Sequence, residues 1–424
     1  MAGSGALGRT PGLVHSLDAI VKNGLCIGCG LCASLAGPDR VEMRWTPEGR
    51  LRPVTKTPPN HATLKLINQV CPGLRTTGMG RATAGEDAVF DPAFGYAQAH
   101  WRGWATDPEV RFRAATGGVL TALAIYLLES KQVDFIAHVK SPGDAPLRNV
   151  PHVSVDRAGV LEGMGSRYGP VAPLLHLNEH LDKGRPFALV AKPCDVAAVR
   201  NLAKHDPRVG QHLKYLLSIS CGGESELELT WRQMRRFPVE ESELRLMRYR
   251  GHGCPGPTRF ETKDGRELNA NYNDMWADKR FWFLQFRCKV CIDPVGEQAD
   301  VIAYDIWPGG SPTGEDEGFN GITARTPRGK ALVEAAAAAG ALTIQGGESF
   351  AMLHDTQPHQ TSKKMGILGR QIGLFLAGQI APRYPGLRVF RMAWQGGLRH
   401  TIKNAIGIFQ RAKGGGTTEP VTRA

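Results

Sequence analysis

Apolar and polar positions change period along this chain, and the changes mark its elements. An unbroken apolar run at 119–128, closed by Glu129 and Ser130, has the length of a buried helix rather than of a strand. Short apolar runs at 135–139, 187–190 and 215–219 predict strands. Stretches at 172–182 and 195–204 predict helices between them. Strands alternating with helices argue for an α/β body with a partly parallel sheet. From 244 to 305 the pattern shortens to strand-length pieces at 247–250, 259–262, 267–269 and 301–304. An Ala-rich run at 329–339 has high helix propensity. Beyond Gly346 the chain reads as loop, then as two amphipathic helices at 364–379 and 394–410. Ahead of the body, Pro and Thr at 51–62 predict an extended loop, and 81–91 reads as a linker. The fold class is therefore mixed, α+β or α/β, in four parts. These are a cysteine-bearing module at 1–85, a body in two pieces at 86–240 and 241–345, and a helical tail at 346–424.

At 424 residues the chain is long enough for two or three domains with a large core. It has no run of 18 apolar residues, and its first 20 lack the apolar centre of a signal peptide, so a cytoplasmic location is expected. The net charge of +12 is uneven. Between Thr361 and Ala424 eleven Lys and Arg, Arg423 among them, stand against one acid, Glu419. Such a tail is either a solvated basic end or a docking surface for an acidic protein partner or an anionic membrane face. No nucleic-acid-binding motif accompanies the charge, so nucleic acid is not an expected partner.

Four cysteines near the N-terminus carry the strongest chemical signal. Cys26, Cys29 and Cys32 stand in Cys-Ile-Gly-Cys-Gly-Leu-Cys, and Cys71 precedes Pro72. A C-x2-C-x2-C triad with a distant Cys-Pro is the ligand pattern of a [4Fe–4S] cluster. Zinc sites instead pair C-x2-C with a second C-x2-C or with histidines. Gly28 and Gly30 allow a tight turn that brings N–H groups near the cluster sulfides.

Five cysteines remain. Cys288 and Cys291 form a C-x2-C, Cys194 and Cys221 each follow a predicted strand, and Cys254 lies in Gly253-Cys-Pro255. Residues leaving strand ends of an α/β sheet converge at one edge. On spacing alone these cysteines are either a second set of four or inert core residues. The turn Thr116-Gly117-Gly118 opens the 119–128 helix with free N–H groups, a seat for phosphate or simply a close-packing turn.

The ordered segments Ala115-Thr-Gly-Gly-Val, Gly165-Ser-Arg-Tyr-Gly-Pro170, Lys192-Pro-Cys-Asp-Val, Ser220-Cys-Gly-Gly, Tyr249-Arg-Gly-His-Gly-Cys-Pro-Gly256 and Arg287-Cys-Lys-Val-Cys-Ile-Asp293 carry a resemblance. With Ala299-Asp300, Asp305-Ile-Trp307 and the N-terminal motif, they resemble the coenzyme F420 hydrogenase/dehydrogenase beta-subunit family over roughly residues 24–339. Its relatives include ferredoxin-dependent 8-vinyl chlorophyllide reductase and 7-hydroxymethyl chlorophyll a reductase. The resemblance implies a ferredoxin-like module at the N-terminus and a flavin-binding body. It implies two [4Fe–4S] clusters, the second on Cys194, Cys221, Cys288 and Cys291 with Cys254 free, and one FAD. For the flavin it implies contacts from Thr116, Gly117, Gly118, Gly165, Ser166, Arg167 and Tyr168, with Arg167 on the pyrophosphate or near the ring edge. Lys192 stands where the family usually has Thr, placing a cation beside a cluster or the flavin. Arg200, Tyr272, Trp276 and Asp305 are weaker site candidates. The implied function is an oxidoreductase passing electrons between a ferredoxin-type one-electron carrier and a two-electron organic substrate of F420-like or tetrapyrrole type. The other reading is an electron-transfer subunit of a larger complex with no organic substrate of its own. A flavin would mediate, because it exchanges electrons singly or in pairs.

Overall fold

The computed structural model describes residues 14–276, 278, 280 and 282–422. The signal-peptide reading of the first residues and the Arg423 charge therefore lie largely or wholly outside the described residues.

The body is built on one eight-stranded mixed sheet. Its four central strands, Val301–Asp305, Leu213–Ile219, Phe187–Val190 and Phe135–Lys140, run parallel. Val150–Ser154 pairs antiparallel beyond Phe135–Lys140, while Asn320–Ala324, Ala99–Ala105 and Leu342–Gln345 follow antiparallel on the other side. Side chains alternate between two cores. Phe135, Ala137, Leu216 and Ile302 face one cluster, while Ile136, Leu217, Val301 and Ala303 face the other. That is the period of two expected of strands, with both faces covered. Helices Val119–Glu129 and Pro327–Ala338 cover the second face, and Leu177–Asp182 and Pro193–Leu202 pack on the first. A separate three-stranded antiparallel sheet, Leu244–Arg248, Thr258–Thr262 and Glu267–Ala270, flanks the body.

Four expectations are corrected. Residues 51–62 are not one loop: Leu51–Thr55 is a strand paired with Val41–Trp45, and a helix begins at His61. Pro53 is tolerated because this hairpin has only two strands, each with a free edge. The 81–91 linker contains a helical turn, Arg81–Ala84, and a strand, Val89–Asp91. Helix 172–182 is shortened to Leu177–Asp182, because Pro173 precedes it and Leu174 N donates to Cys29 O at 2.9 Å instead. Beyond Gly346 the chain forms helices at Phe350–Thr356, Pro358–Met365, Ile367–Leu376 and Val389–Lys413.

The basic tail is not a detached end. Glu297 binds both Lys364 and Arg388, the latter at 2.6 Å through each carboxylate oxygen. Arg370 donates to Lys289 O, and Glu419 accepts from the buried Arg52 at 2.7 and 2.9 Å. Three of the cations beyond Thr361, and Glu419, the single acid there, thus hold the tail against the rest of the molecule.

Candidate functional site

The N-terminal cysteines converge. Cys26 and Cys29 lie on the loop before helix Leu31–Ala36, Cys32 lies inside that helix, and Cys71 caps His61–Val70. All four line one cavity with Ile27, Met43, Ile67 and Val70. The loop bends at Gly28 and Gly30, whose φ angles are +73° and +83°. A Cβ on Gly28 would stand 2.6 Å from Leu51 O, so only glycine fits there. Gly28 N donates to Cys26 Sγ at 3.4 Å. Burial raises the pKa of all four thiols, that of Cys71 to about 11. Among the described residues no three His, Cys, Asp or Glu side chains converge as tightly as a single metal ion needs. Four thiols around one cavity, three of them in C-x2-C-x2-C spacing, suit a cluster body.

The second set is assembled by topology. Strands Phe187–Val190, Leu213–Ile219 and Val301–Asp305 are parallel, so their carboxyl ends share one edge. Cys194 enters helix Pro193–Leu202 there, and Cys221 follows Ile219. The short helix Phe286–Lys289 and the turn after it bring up Cys288 and Cys291. These thiols lie within each other's fields: burial first, then Cys288 and Cys291, push the Cys221 pKa up to about 12. Cys194 is raised by burial and Asp195, and also by Cys221 and Cys291. Glu224 N donates to Cys288 Sγ at 3.3 Å. Cys254 stands apart, buried and backbone-paired with Asp316 beside Arg250 and Asp305. All nine cysteines are free thiols.

The two sets are neighbours. Arg287, next to Cys288, donates from Nε and Nη2 to the carbonyl of Pro72, next to Cys71, at 3.0 and 2.6 Å. A second chain of bonds runs alongside: Arg52 Nη2 donates to Gln285 Oε1 at 2.8 Å, and Gln285 Nε2 to Glu224 Oε1 at 2.6 Å. Lys192 Nζ then lies 2.9 Å from Glu224 and 2.8 Å from Asp195. Burial works against the Lys192 charge, but the two carboxylates outweigh it and hold its pKa well above the usual lysine range. The structure therefore places Lys192 beside the inner cysteines.

The candidate flavin residues divide. Thr116 Oγ1 donates to Asp305 Oδ1 at 2.5 Å, and Arg250 pairs with both Asp305 oxygens at 3.0 and 3.2 Å. The Arg250 guanidinium lies 4.8 Å from the Trp307 ring and 5.3 Å from the Tyr272 ring. Tyr168 meets Trp276 at 4.7 Å and Tyr249 at 5.2 Å between ring centroids. Beside this group opens a cleft of about 670 Å³ lined by Phe112, His252, Tyr272 and Glu315. Gly117 and Gly118, by contrast, turn their missing Cβ inward. A Cβ on Gly117 would lie 3.0 Å from Asn320 N, and one on Gly118 3.1 Å from Val110 O. They serve helix packing. Arg167 is spent on Asn149 Oδ1 and on the carbonyls of Met247, Pro146 and Arg148, at 2.5 to 3.1 Å. Arg200 is likewise structural, pairing with the buried Asp300 at 2.7 Å. Gly165, with φ +106°, faces Arg248, which donates to the carbonyls of Arg113 and Met164 and has no carboxylate within ion-pair distance among the described residues. Ser166 sits half-buried in the same loop.

Sequence reasoning missed Arg52, Glu224, Arg248, Arg250 and Arg287 as site residues. The signal for two of them was present: Arg248 and Arg250 alternate at strand spacing into the Tyr249–Gly256 motif. Arg52 and Glu224 carry no local pattern.

Comparison with known proteins places this architecture. The coenzyme F420 hydrogenase/dehydrogenase beta-subunit models match at residues 100–178 for the N-terminal part and 184–349 for the C-terminal part. The chain belongs to this family. It is 26% identical over 287 residues to the coenzyme F420 hydrogenase subunit beta of Methanococcus voltae, covering 64% of this chain and 94% of that one. It is 24% identical over 291 residues to the F420-dependent formate dehydrogenase subunit beta of Methanocaldococcus jannaschii, covering 68% and 71%. A chain of the F420-reducing [NiFe] hydrogenase complex from Methanosarcina barkeri shares the fold, with a TM-score of 0.55 at 20% identity over 70% of this chain and 98% of that one. These relatives are oxidoreductases or subunits of them by name.

Proposed function

We propose that the chain is an iron–sulfur flavoprotein oxidoreductase that passes electrons between a ferredoxin-type carrier and a two-electron organic substrate. The observation that carries this reading is the contiguity of three stations. The outer thiols meet the inner set through Arg287 and Pro72. The inner set meets the Thr116, Arg250 and Asp305 group through Gln357, which accepts from Ser220 Oγ at 3.2 Å and donates to Asp305 O at 2.9 Å. Each cysteine set would hold one [4Fe–4S] cluster: four thiols per site, glycine turns and nearby N–H donors fit that charge-bearing body.

FAD would lie against Thr116, Gly165, Ser166 and Tyr168, supplying the exchange between one- and two-electron transfer. Arg248, without a carboxylate partner among the described residues, fits an anionic phosphate there. Arg250 is buried and held by Asp305 near the Tyr272 and Trp307 rings, and Tyr272 in turn lines the cleft. The substrate would enter by that cleft and stack on Tyr272. Its F420-like or tetrapyrrole identity rests on the family resemblance alone. With no helix among the described residues long and apolar enough to cross a membrane, a cytoplasmic location is part of the same proposal.

The relatives named as beta subunits favour a second reading, an electron-transfer subunit within a larger complex. Anaerobic purification with iron, sulfide and flavin assays tests the first: about eight irons and about one FAD per chain are expected. Four irons would remove the inner cluster, and absent flavin would remove the oxidoreductase reading. Oxidation of the reduced chain by deazaflavin or tetrapyrrole acceptors, without added subunits, favours the enzyme. Its failure with every acceptor favours the subunit.

A further inference from the structure

The family-matched residues end at 349, and the helices beyond them expose an apolar face. Of the thirteen exposed large hydrophobics among the described residues, eight lie between Ile372 and Ile406, so this is a patch and not scatter. Phe390 and Trp394 precede, and Leu398, Ile402 and Ile406 follow, a break at Gly397 (φ +77°) inside Val389–Lys413, and Phe375 is exposed on the neighbouring helix Ile367–Leu376. Trp394 is 88% exposed, Phe390 77% and Leu398 75%. Within each of the two helical segments, spacing of four keeps such side chains on one face.

The platform beneath is rigid. A Cβ on Gly369 would stand 2.1 Å from Thr401 O, and one on Gly373 2.4 Å from Ala405 O. Glycines one turn apart thus let the two helix backbones touch. Met392, Ala393 and Ile408 face inward. The apolar stripe is therefore left over after packing is complete.

Its charge is one-sided. Arg391, Arg399, Lys403, Arg411 and Lys413 are exposed along the same helix, and the sequence holds no Asp or Glu from 356 to 418. A second copy of the chain would bring two such cationic rims together. A protein partner would have to match a long apolar stripe with a groove and ring it with carboxylates. An anionic bilayer offers phosphates and acyl chains in one plane, with no shape to match. Aromatic and aliphatic residues flanked by Lys and Arg are the composition of helices that lie in a membrane interface. We propose that this helix pair is a docking face for anionic phospholipid bilayers, lying on the surface without crossing it. This inference does not rest on the redox reading.

The test is co-sedimentation of the full chain, with its clusters reconstituted, with phosphatidylcholine vesicles with and without phosphatidylglycerol. Binding is expected to the anionic vesicles, to weaken with added salt, and to fall about tenfold or more on pure phosphatidylcholine. Trp394→Ser with Leu398→Ser, and separately Arg399→Glu with Lys403→Glu, should each lower binding by about tenfold or more. All four residues are exposed, so circular dichroism and iron content should not change. Wild-type protein that stays in the supernatant, or variants that bind equally, would overturn the proposal. A wild-type dimer made monomeric by the apolar pair of substitutions would assign the face to a second copy instead.

Discussion

The two cysteine sets solve the same problem from opposite directions. The outer set is local: three of its thiols lie within seven residues, on a loop shaped by Gly28 and Gly30 and walled by Ile27, Met43, Ile67 and Val70. The inner set draws on three distant segments and sits among charges, with Asp195, Glu224 and Arg287 buried and Lys192 half-buried beside it. The outer thiols have apolar walls and backbone N–H groups, with the guanidinium groups of Arg52 near Cys26 and Arg287 near Cys71 as their nearby cations. Buried ion pairs add full charges that can be altered one at a time. The outer site is shaped mainly by a local loop, whereas the inner one is surrounded by ion pairs of both signs.

The largest expected effect breaks the comparison at its base. Cys221→Ala should cost about half of the iron, whereas Cys254→Ala should keep all of it. The opposite pattern, read by iron assay on anaerobic protein, would show that the inner set has been drawn wrongly. Alanine is the appropriate replacement at 254, because the side chain is only 2% exposed and a larger residue would disturb the fold.

A smaller effect concerns the charges that fasten the tail behind the inner motif. Burial works to raise the pKa of Glu297, but Lys364 and Arg388 outweigh it and lower it to about 2. A depressed carboxylate pKa stabilises the fold above the unfolded value and loses that contribution as pH falls through the folded one. Glu297→Gln should therefore cost about 3 kcal/mol near neutral pH, seen as a lower denaturation midpoint, and the difference from wild type should shrink on acidification toward about pH 2. An unchanged midpoint at neutral pH would remove this carboxylate from the forces that hold the tail.

Much of this was legible in the sequence, for physical reasons. The 119–128, 135–139, 187–190 and 301–304 runs became the buried helix and central strands, since both faces of a parallel sheet demand unbroken apolar stretches. The outer thiols were legible because a cluster loop is a local object. The strand Leu51–Thr55 was hidden by Pro53, whose turn preference is overridden at a free hairpin edge. Gly117 and Gly118 left two readings open, because a glycine announces close approach without saying by what; the nearest atoms to an added Cβ are those of Asn320 and Val110. Arg167 looked free for phosphate, yet carbonyls brought from residues 146–148 and 247 consume it. Arg52 and Glu419 are 367 residues apart, and no local pattern encodes such a pair.

The smallest effect sharpens the comparison most. Lys192 places an ammonium group between Asp195 and Glu224 on the inner side, where the family resemblance gives Thr. A nearby positive charge favours the more negative, reduced state of a cluster, so its removal should make reduction harder. Lys192→Thr should lower the potential of the inner cluster by roughly tens of millivolts while the outer cluster keeps its own value. Proton uptake by the two carboxylates left behind would offset part of the shift, so the change should be larger at high pH than at low pH. Redox titration followed by electron paramagnetic resonance separates the two clusters. Equal shifts in both would mean that Lys192 acts on the pair as a whole through the Glu224, Gln285 and Arg52 bonds. No shift in either would mean that the carboxylates already neutralise it. A shift confined to the inner signal is what a half-buried charge 2.8 Å from Asp195, next in sequence to Cys194, should produce.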